Sequence, residues 1–276
     1  MVPKEYYGRL FTKEQLLVDY HSEALTLESM IKVDKQLRCK RCYSQIEEDW
    51  QLPEGQYYCR ACIVFGRNQE GKELYYFLSK TSEIEFPVLK WLGALTPYQA
   101  EVSEKLLETY QKQKDSLVHA VTGAGKTEMI YKIVAYVLEN KGRVAIASPR
   151  VDVCRELFLR MQRDFTCSIS LLHAESEPYD GSPIVIATTH QLLKFYQNFD
   201  LVIVDEVDAF PFVGNVMLNH AVEQAKKETG RYIYLTATST LSLEEQVRLG
   251  SLEKHHLARR FHGNPLVLPK FCWQGR

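Results

Sequence analysis

Long apolar runs are missing from this chain. The longest, around Leu201-Val-Ile-Val204, is far too short to cross a bilayer, which excludes a helix spanning the hydrocarbon. The opening residues Met1-Val2-Pro3-Lys4-Glu5-Tyr6-Tyr7 lack an apolar h-region, so they form no secretory signal and a cytoplasmic location is expected. A surplus of either charge is missing as well. The 34 Lys and Arg residues face 35 Asp and Glu, a net charge of −1, so any nucleic-acid contact must rest on a local stripe. Internal repeats and low-complexity tracts are absent. What is present is ordinary for a folded chain, 45% hydrophobic and 25% charged. Its 276 residues admit one large domain, or a medium domain with a small module.

The pattern divides the chain into four parts. Residues 1–36 read as helical with polar interruptions, Thr12 and Gln15 standing at capping-box spacing. Residues 37–67 form a cysteine-bearing unit, and 68–92 a strand or hairpin (Glu73–Leu78) with a connector. From 93 to 276, short apolar runs alternate with longer periodic segments. Strands are predicted at Leu117–Val121, Val144–Ala147, Ile169–Leu172, Ile184–Ala187, Leu201–Val204 and Tyr232–Leu235. Helices are predicted near Tyr98–Lys112, Lys126–Glu139, Val151–Arg163, Val216–Glu228 and Leu243–Leu249. Strands apolar on both faces with helices between them mean α/β, a parallel sheet covered on both sides.

Two segments carry most of the chemistry. After the strand Leu117–Val121 comes Thr122-Gly123-Ala124-Gly125-Lys126-Thr127, followed by a helix. Glycines belong there because backbone amides must turn inward around phosphates, where a Cβ would collide. Lys126 is expected to reach the β- and γ-phosphates of ATP, and the Thr127 hydroxyl to ligate Mg²⁺, while the helix N-terminus adds partial positive charge. Ala120 stands where the motif's first glycine is usual. The second segment, Asp200-Leu-Val-Ile-Val-Asp-Glu-Val-Asp208, is an apolar strand ending in carboxylates. Asp205 is assigned to Mg²⁺ and Glu206 to the attacking water. Either segment alone could be a glycine turn or an acidic loop; together, and in this order, they argue for a nucleotide site.

Cys39-Lys-Arg-Cys42 and Cys59-Arg-Ala-Cys62 are two matched knuckles whose spacing suits a tetrahedral four-thiolate Zn²⁺ site. A redox dithiol is the alternative, and a cytoplasmic setting disfavours disulfides. Lys35, Arg38, Lys40 and Arg41 crowd the first knuckle, and Lys254, Arg259 and Arg260 form a second basic cluster. Either is a solvated face or a nucleic-acid contact. For the cysteine unit, Arg38, Lys40, Arg41 and Arg60 with Tyr43, Trp50, Tyr57 and Tyr58 allow a DNA grip, while protein docking or a purely structural role stay open. Cys154, Cys167 and Cys272 are read as incidental thiols.

Together, Gly-x-Gly-Lys-Thr, Asp-Glu-x-Asp and Thr236-Ala-Thr238 resemble motifs I, II and III of superfamily 2 helicases. The resemblance implies a RecA-like lobe. Leu95-Thr-Pro-Tyr-Gln99 is similar to that family's Q motif, which implies that Gln99 reads adenine, the alternative being an exposed glutamine at a helix start. Ser148-Pro-Arg150 and Thr188-Thr-His190 resemble motifs Ia and Ib, which assigns Arg150 and Thr189 to a nucleic-acid backbone if they are not simply loop residues. Thr236 and Thr238 would couple the nucleotide and nucleic-acid sites, or only bond locally.

With a four-cysteine module ahead of the lobe and Ala209-Phe210-Pro211 after the acidic motif, the chain is similar to ComFA, the late-competence DNA-uptake ATPases. That likeness implies an ATP-driven motor on single-stranded DNA. It also implies a membrane DNA-uptake channel and a companion phosphoribosyltransferase-like competence protein as partners; self-association stays open. A primosomal restart helicase is the alternative, although its zinc cysteines follow the first lobe. A non-catalytic zinc-dependent DNA-binding or assembly module is another. The chain stops at Arg276, soon after motif III, and so is expected to be the N-terminal part of a longer protein whose second lobe lies beyond it.

Overall fold

The computed structural model describes residues 2–81, 84–121, 124–209 and 211–257. The helical reading of residues 1–36 is overturned. Thr12 and Gln15 do form the capping box, but it caps a single 3₁₀ turn, Lys13–Gln15. Around it run strands β1 (Leu10–Thr12), β2 (Leu25–Glu28) and β3 (Met30–Val33). The overlooked signal is the alternation Leu25-Thr-Leu27 and Ile31-Lys-Val33, whose period of two suits a strand and not a helix.

β3 pairs with β4 (Gln36–Cys39) through a two-residue loop, Val33 facing Gln36. Both loop residues, Asp34 and Lys35, have positive φ (48° and 66°), as a type I′ hairpin turn requires. This hairpin crosses the expected boundary at 36/37, so the cysteine module starts earlier, at β3. The expected strand in 73–78 is β5 (Glu73–Tyr76), and it lies between β1 and β2 in an antiparallel sheet. Segments 1–36 and 68–92 therefore build one small sheet, and the cysteine module is an insertion between β2 and β5.

The second unit follows the predicted alternation closely. Its elements are α1 (Pro97–Gln111), β6 (Asp115–Ala120), α2 (Lys126–Met129), α3 (Tyr131–Glu139), β7 (Val144–Ser148), α4 (Val151–Asp164), β8 (Ile169–Leu172) and β9 (Ile184–Thr188). They continue with β10 (Phe199–Asp205), α5 (Val216–Ala225), β11 (Lys226–Thr236), α6 (Leu241–Arg248) and β12 (Leu252–Leu257). Seven strands form one parallel sheet in the order β12-β6-β11-β10-β7-β9-β8. Alternate residues face opposite ways. Leu117, Ala145, Val185, Val202 and Val204 enter one core with α5, whereas Val118, Ile146, Ile186, Leu201 and Ile203 enter the other with α3 and α4. The strands thus read as continuous apolar runs because both faces are covered.

β12 escapes the sequence reading because Glu253-Lys-His-His256 is polar, which an edge strand tolerates. Lys254, grouped earlier with a basic cluster, is paired with Glu244; Arg259, Arg260 and Cys272 lie outside the described residues. Among the described residues no helix is long and apolar enough to cross a membrane.

The two units are packed together. A Cβ at Gly8 (φ 72°) would lie 2.0 Å from Oδ1 of buried Asn198, so only glycine allows that approach. On the cysteine module, His220 of α5 bonds the Lys40 carbonyl at 3.0 Å and stacks on Tyr43 with ring centroids 5.2 Å apart.

Candidate functional site

In a parallel sheet the C-terminal strand ends converge on one edge, and there the two motifs meet. β6 ends at Ala120, whose side chain is fully buried; Thr122 and Gly123 lie outside the described residues. Gly125 takes a left-handed conformation (φ 72°, ψ 48°) and N-caps α2. That conformation turns the chain sharply and delivers Lys126 to the opening of the helix.

β10 ends at Asp205, whose Oδ1 lies 3.3 Å from Lys126 Nζ. The Glu206 amide donates to the same oxygen at 2.9 Å. Glu206 itself has positive φ (55°), so the chain kinks and the two carboxylates diverge. Burial, then the adjacent Asp205 charge, lifts Glu206 above the usual carboxylate range, with Arg150 and Lys126 opposing. Arg150 Nη1 lies 3.7 Å from Glu206 Oε1, while Glu206 Oε2 is buried without a partner. A carboxylate with one oxygen bare and its basicity raised is suited to accept a proton.

Lys126, Asp205 and Glu206 line a cleft of about 850 Å³, together with Thr127 and Asp208. Apolar Trp91, Leu95, Val153 and Leu157 also line it, along with Gln99 and the charged Glu156 and Arg160. Gln99 is only 2% exposed. Its Oε1 accepts from the Thr96 amide at 2.9 Å, and its Nε2 donates to the Ala124 carbonyl at 2.8 Å. It caps α1 and ties that helix to the glycine turn, so the exposed-glutamine alternative is excluded. A cleft of this volume lined by both apolar and charged side chains has room for a nucleoside triphosphate, and the Lys126–Asp205 pair supplies the opposite charges that phosphates and Mg²⁺ need.

The residues expected at nucleic acid fare differently. Arg150 is half exposed at the cleft rim, paired with Asp152 as well as Glu206. Thr189 is fully buried with its hydroxyl unpartnered, so it offers nothing to a phosphodiester here; His190 is the exposed member of that segment. Thr236 is fully buried, donating to the Thr238 carbonyl at 2.7 Å and accepting from the Thr238 amide at 3.0 Å. These are the local bonds weighed as an alternative. The intervening Ala237 lines the cleft.

The four cysteines come together as their spacing predicts. All are fully buried, with Cys39 and Cys62 sulfurs 3.7 Å apart and Cys42 and Cys59 3.5 Å apart. Zinc–sulfur bonds of about 2.3 Å place tetrahedral sulfurs about 3.8 Å apart, so the donor set fits Zn²⁺. All four sulfurs lie within 4.8 Å of one another as free thiols. Hydrogen bonds from the other three cysteines hold Cys39 well below the usual thiol range, with a further one from Asn68.

Of the cations read as a DNA grip, Arg41 is wholly buried and donates to the Gly66 carbonyl, and Arg60 is held by Asp49. Trp50 and Tyr57 pack on the core. Arg38, Lys40 and Tyr43 remain partly exposed. Sequence reasoning missed Trp91, assigned to a connector, and Asn68, whose role no spacing announces. It also missed Arg160 on the cleft wall, although its i,i+4 pairing with Glu156 is legible.

Comparison with known proteins adds four findings. The DEAD/DEAH box helicase family model matches residues 96–247. Competence protein ComFA of Streptococcus pneumoniae is 57% identical, over 98% of this chain and 62% of that protein. Competence protein ComFA of Bacillus subtilis is 34% identical, over 94% of this chain and 58% of that protein. Replication restart protein PriA of Bacillus subtilis is 23% identical, over 64% of this chain and 24% of that protein. The chain thus spans about three fifths of the length of the two competence proteins.

Proposed function

Because this chain belongs to the DEAD/DEAH box helicase family, we propose that it is the nucleotide-binding lobe of an ATP-driven motor that moves single-stranded DNA during natural transformation. One observation carries the ATP part of this reading: Lys126 and Asp205 stand 3.3 Å apart at one sheet edge, on a cleft that apolar as well as charged side chains line. The competence part is supported by the identity to the two ComFA proteins over nearly the whole chain.

The chemistry follows from the side chains. Lys126 neutralises the β- and γ-phosphates, and Thr127 and Asp205 hold Mg²⁺, which when bound offsets phosphate charge. Glu206 takes a proton from water through its free oxygen. Arg150, beside it, moderates that basicity, and a phosphodiester reaching the rim competes for the same guanidinium, so DNA binding alters the base. Gln99, anchored to the glycine turn, orients the adenine end. Zn²⁺ at the four cysteines holds the small module together. The partners in this reading are single-stranded DNA, a membrane DNA-uptake channel and a companion phosphoribosyltransferase-like competence protein, with the motor at the cytoplasmic face of the membrane.

The test is ATP hydrolysis by the full-length protein with single-stranded, duplex or forked DNA, and without DNA. Stimulation by single strands is expected. Dependence on forks would favour the restart activity that the PriA name describes, and hydrolysis indifferent to all three would overturn the motor reading.

A further inference from the structure

The cysteine cluster is not symmetric. Asn68 is 1% exposed, and its side-chain nitrogen donates to the Ser29 carbonyl at 2.7 Å and to the Cys39 sulfur at 3.1 Å. The Ser29 carbonyl can only accept, so the amide must present its nitrogen, and the second N–H then points at sulfur. Cys39 is thereby required to accept, which suits a thiolate. Cys42 lies 3.3 Å from the Ser44 hydroxyl, which can rotate to donate as well. Among the described residues no side chain outside the cluster bonds Cys59 or Cys62.

The two knuckles also differ in cover. The first is backed by α5 through His220, and Arg41 between its cysteines is fully buried. The second is flanked by exposed Arg60 and Ala61 on one side and by Ile63 and Val64, 43% and 82% exposed, on the other.

We propose that Asn68 is a positioning residue for the metal, and that with Ser44 it divides the cluster into a hydrogen-bonded half, Cys39 and Cys42, that retains zinc and a bare half, Cys59 and Cys62, that gives it up. This rests on the zinc reading above. An N–H donated to a thiolate draws off electron density and fixes the sulfur in place. The bonded sulfurs are therefore poorer nucleophiles, and the bare, solvent-flanked pair is where chelators and electrophiles enter.

The experiment uses the zinc-loaded chain, its metal content measured first, with N-ethylmaleimide as probe. A thiolate adds across the maleimide double bond, a proton from water completes the adduct, and the zinc–sulfur bond is lost. Mass-spectrometric mapping should find Cys59 and Cys62 modified before Cys39 and Cys42. Asn68→Ala should weaken zinc affinity about 10–100-fold, the usual effect of removing such a partner, and speed its release to a chelator. It should also erase the lag at Cys39, and Asn68→Asp, which turns an acceptor toward sulfur, should exceed it. The sulfur-to-metal charge-transfer band of the Co²⁺ form should move to longer wavelength in both, which a loss of packing alone would not cause. Ser44→Ala, at a half-exposed site, provides a milder variant, speeding Cys42 only. One bound zinc with even labelling of all four cysteines, unchanged by these substitutions, would overturn the proposal and spare the zinc reading. Wild-type protein that carries no zinc would overturn both.

Discussion

Lys126 and Asp205 now hold each other, so removing the lysine leaves a carboxylate at the cleft with its cation gone and nothing to meet phosphate. Lys126→Ala should abolish ATP turnover in the full-length protein while leaving single-stranded DNA binding within about twofold, read by filter binding alongside phosphate release. Gly125 makes a sharper structural test. A side chain at its φ of 72° costs about 1–2 kcal/mol in the left-handed region, so Gly125→Ala should weaken nucleotide binding and lower the melting temperature together. At this scale the sequence was informative wherever chemistry imposes spacing. Lys126, Thr127, Asp205 and Glu206 meet at one cleft and the four cysteines in one cluster, because a glycine turn and paired Cys-x-x-Cys knuckles fix where their residues lie. It misled where exposure decides the role. Arg41 reads as a surface cation but is buried, and Thr189 reads as a backbone contact but has no outlet.

Among elements, strands β6 to β11 and all the longer helices were legible, since a sheet covered on both faces writes itself as apolar runs punctuated by amphipathic periods. β12 and the N-terminal strands were not. An edge strand and a small half-covered sheet need few apolar residues, and their pairing partners lie far away in sequence, as β5 does from β1. The cysteine module gives a prediction of its own. Cys39→Ala should remove the bound zinc and unfold the module, because a unit this small draws its folding energy from the metal. Loss of zinc with the module still protected from proteolysis would contradict this. Cys154 and Cys167, pushed up by burial to about 12 and about 11, should stay unlabelled by maleimide at pH 8 after the zinc is chelated. Burial holds His220 and His255 below their ordinary value of 6.5. Their neutral forms are favoured by the fold, so the stability they confer is present above that value and lost as the pH falls below it. The melting temperature should drop between pH 7 and pH 5, and His255→Gln, which removes the ring bonded to Thr109, should flatten that slope.

For the whole molecule, the relevant fact is that the two competence relatives are longer than this chain. In phosphoryl transfer an arginine supplied from outside the lobe is worth about 10³–10⁵ in rate. The 276-residue chain alone should therefore bind ATP weakly and hydrolyse it at least about 10³-fold more slowly than a protein of the relatives' full length. Equal single-strand-stimulated rates would show that the lobe is self-sufficient. No sequence signal specified how the small sheet and the cysteine module seat on the lobe. Gly8 against Asn198, and Tyr43 on His220, are shape matches between distant segments, invisible to any local pattern.

The cysteine module leaves the chain at Glu28 and returns at Glu73, and these two residues face each other across an antiparallel ladder. Geometrically it is a graft on a hairpin tip. Splicing the tip with Asn-Gly would excise the whole knuckle domain while leaving the ladder intact, giving a chain stripped of that module and a direct way to learn what the module is for.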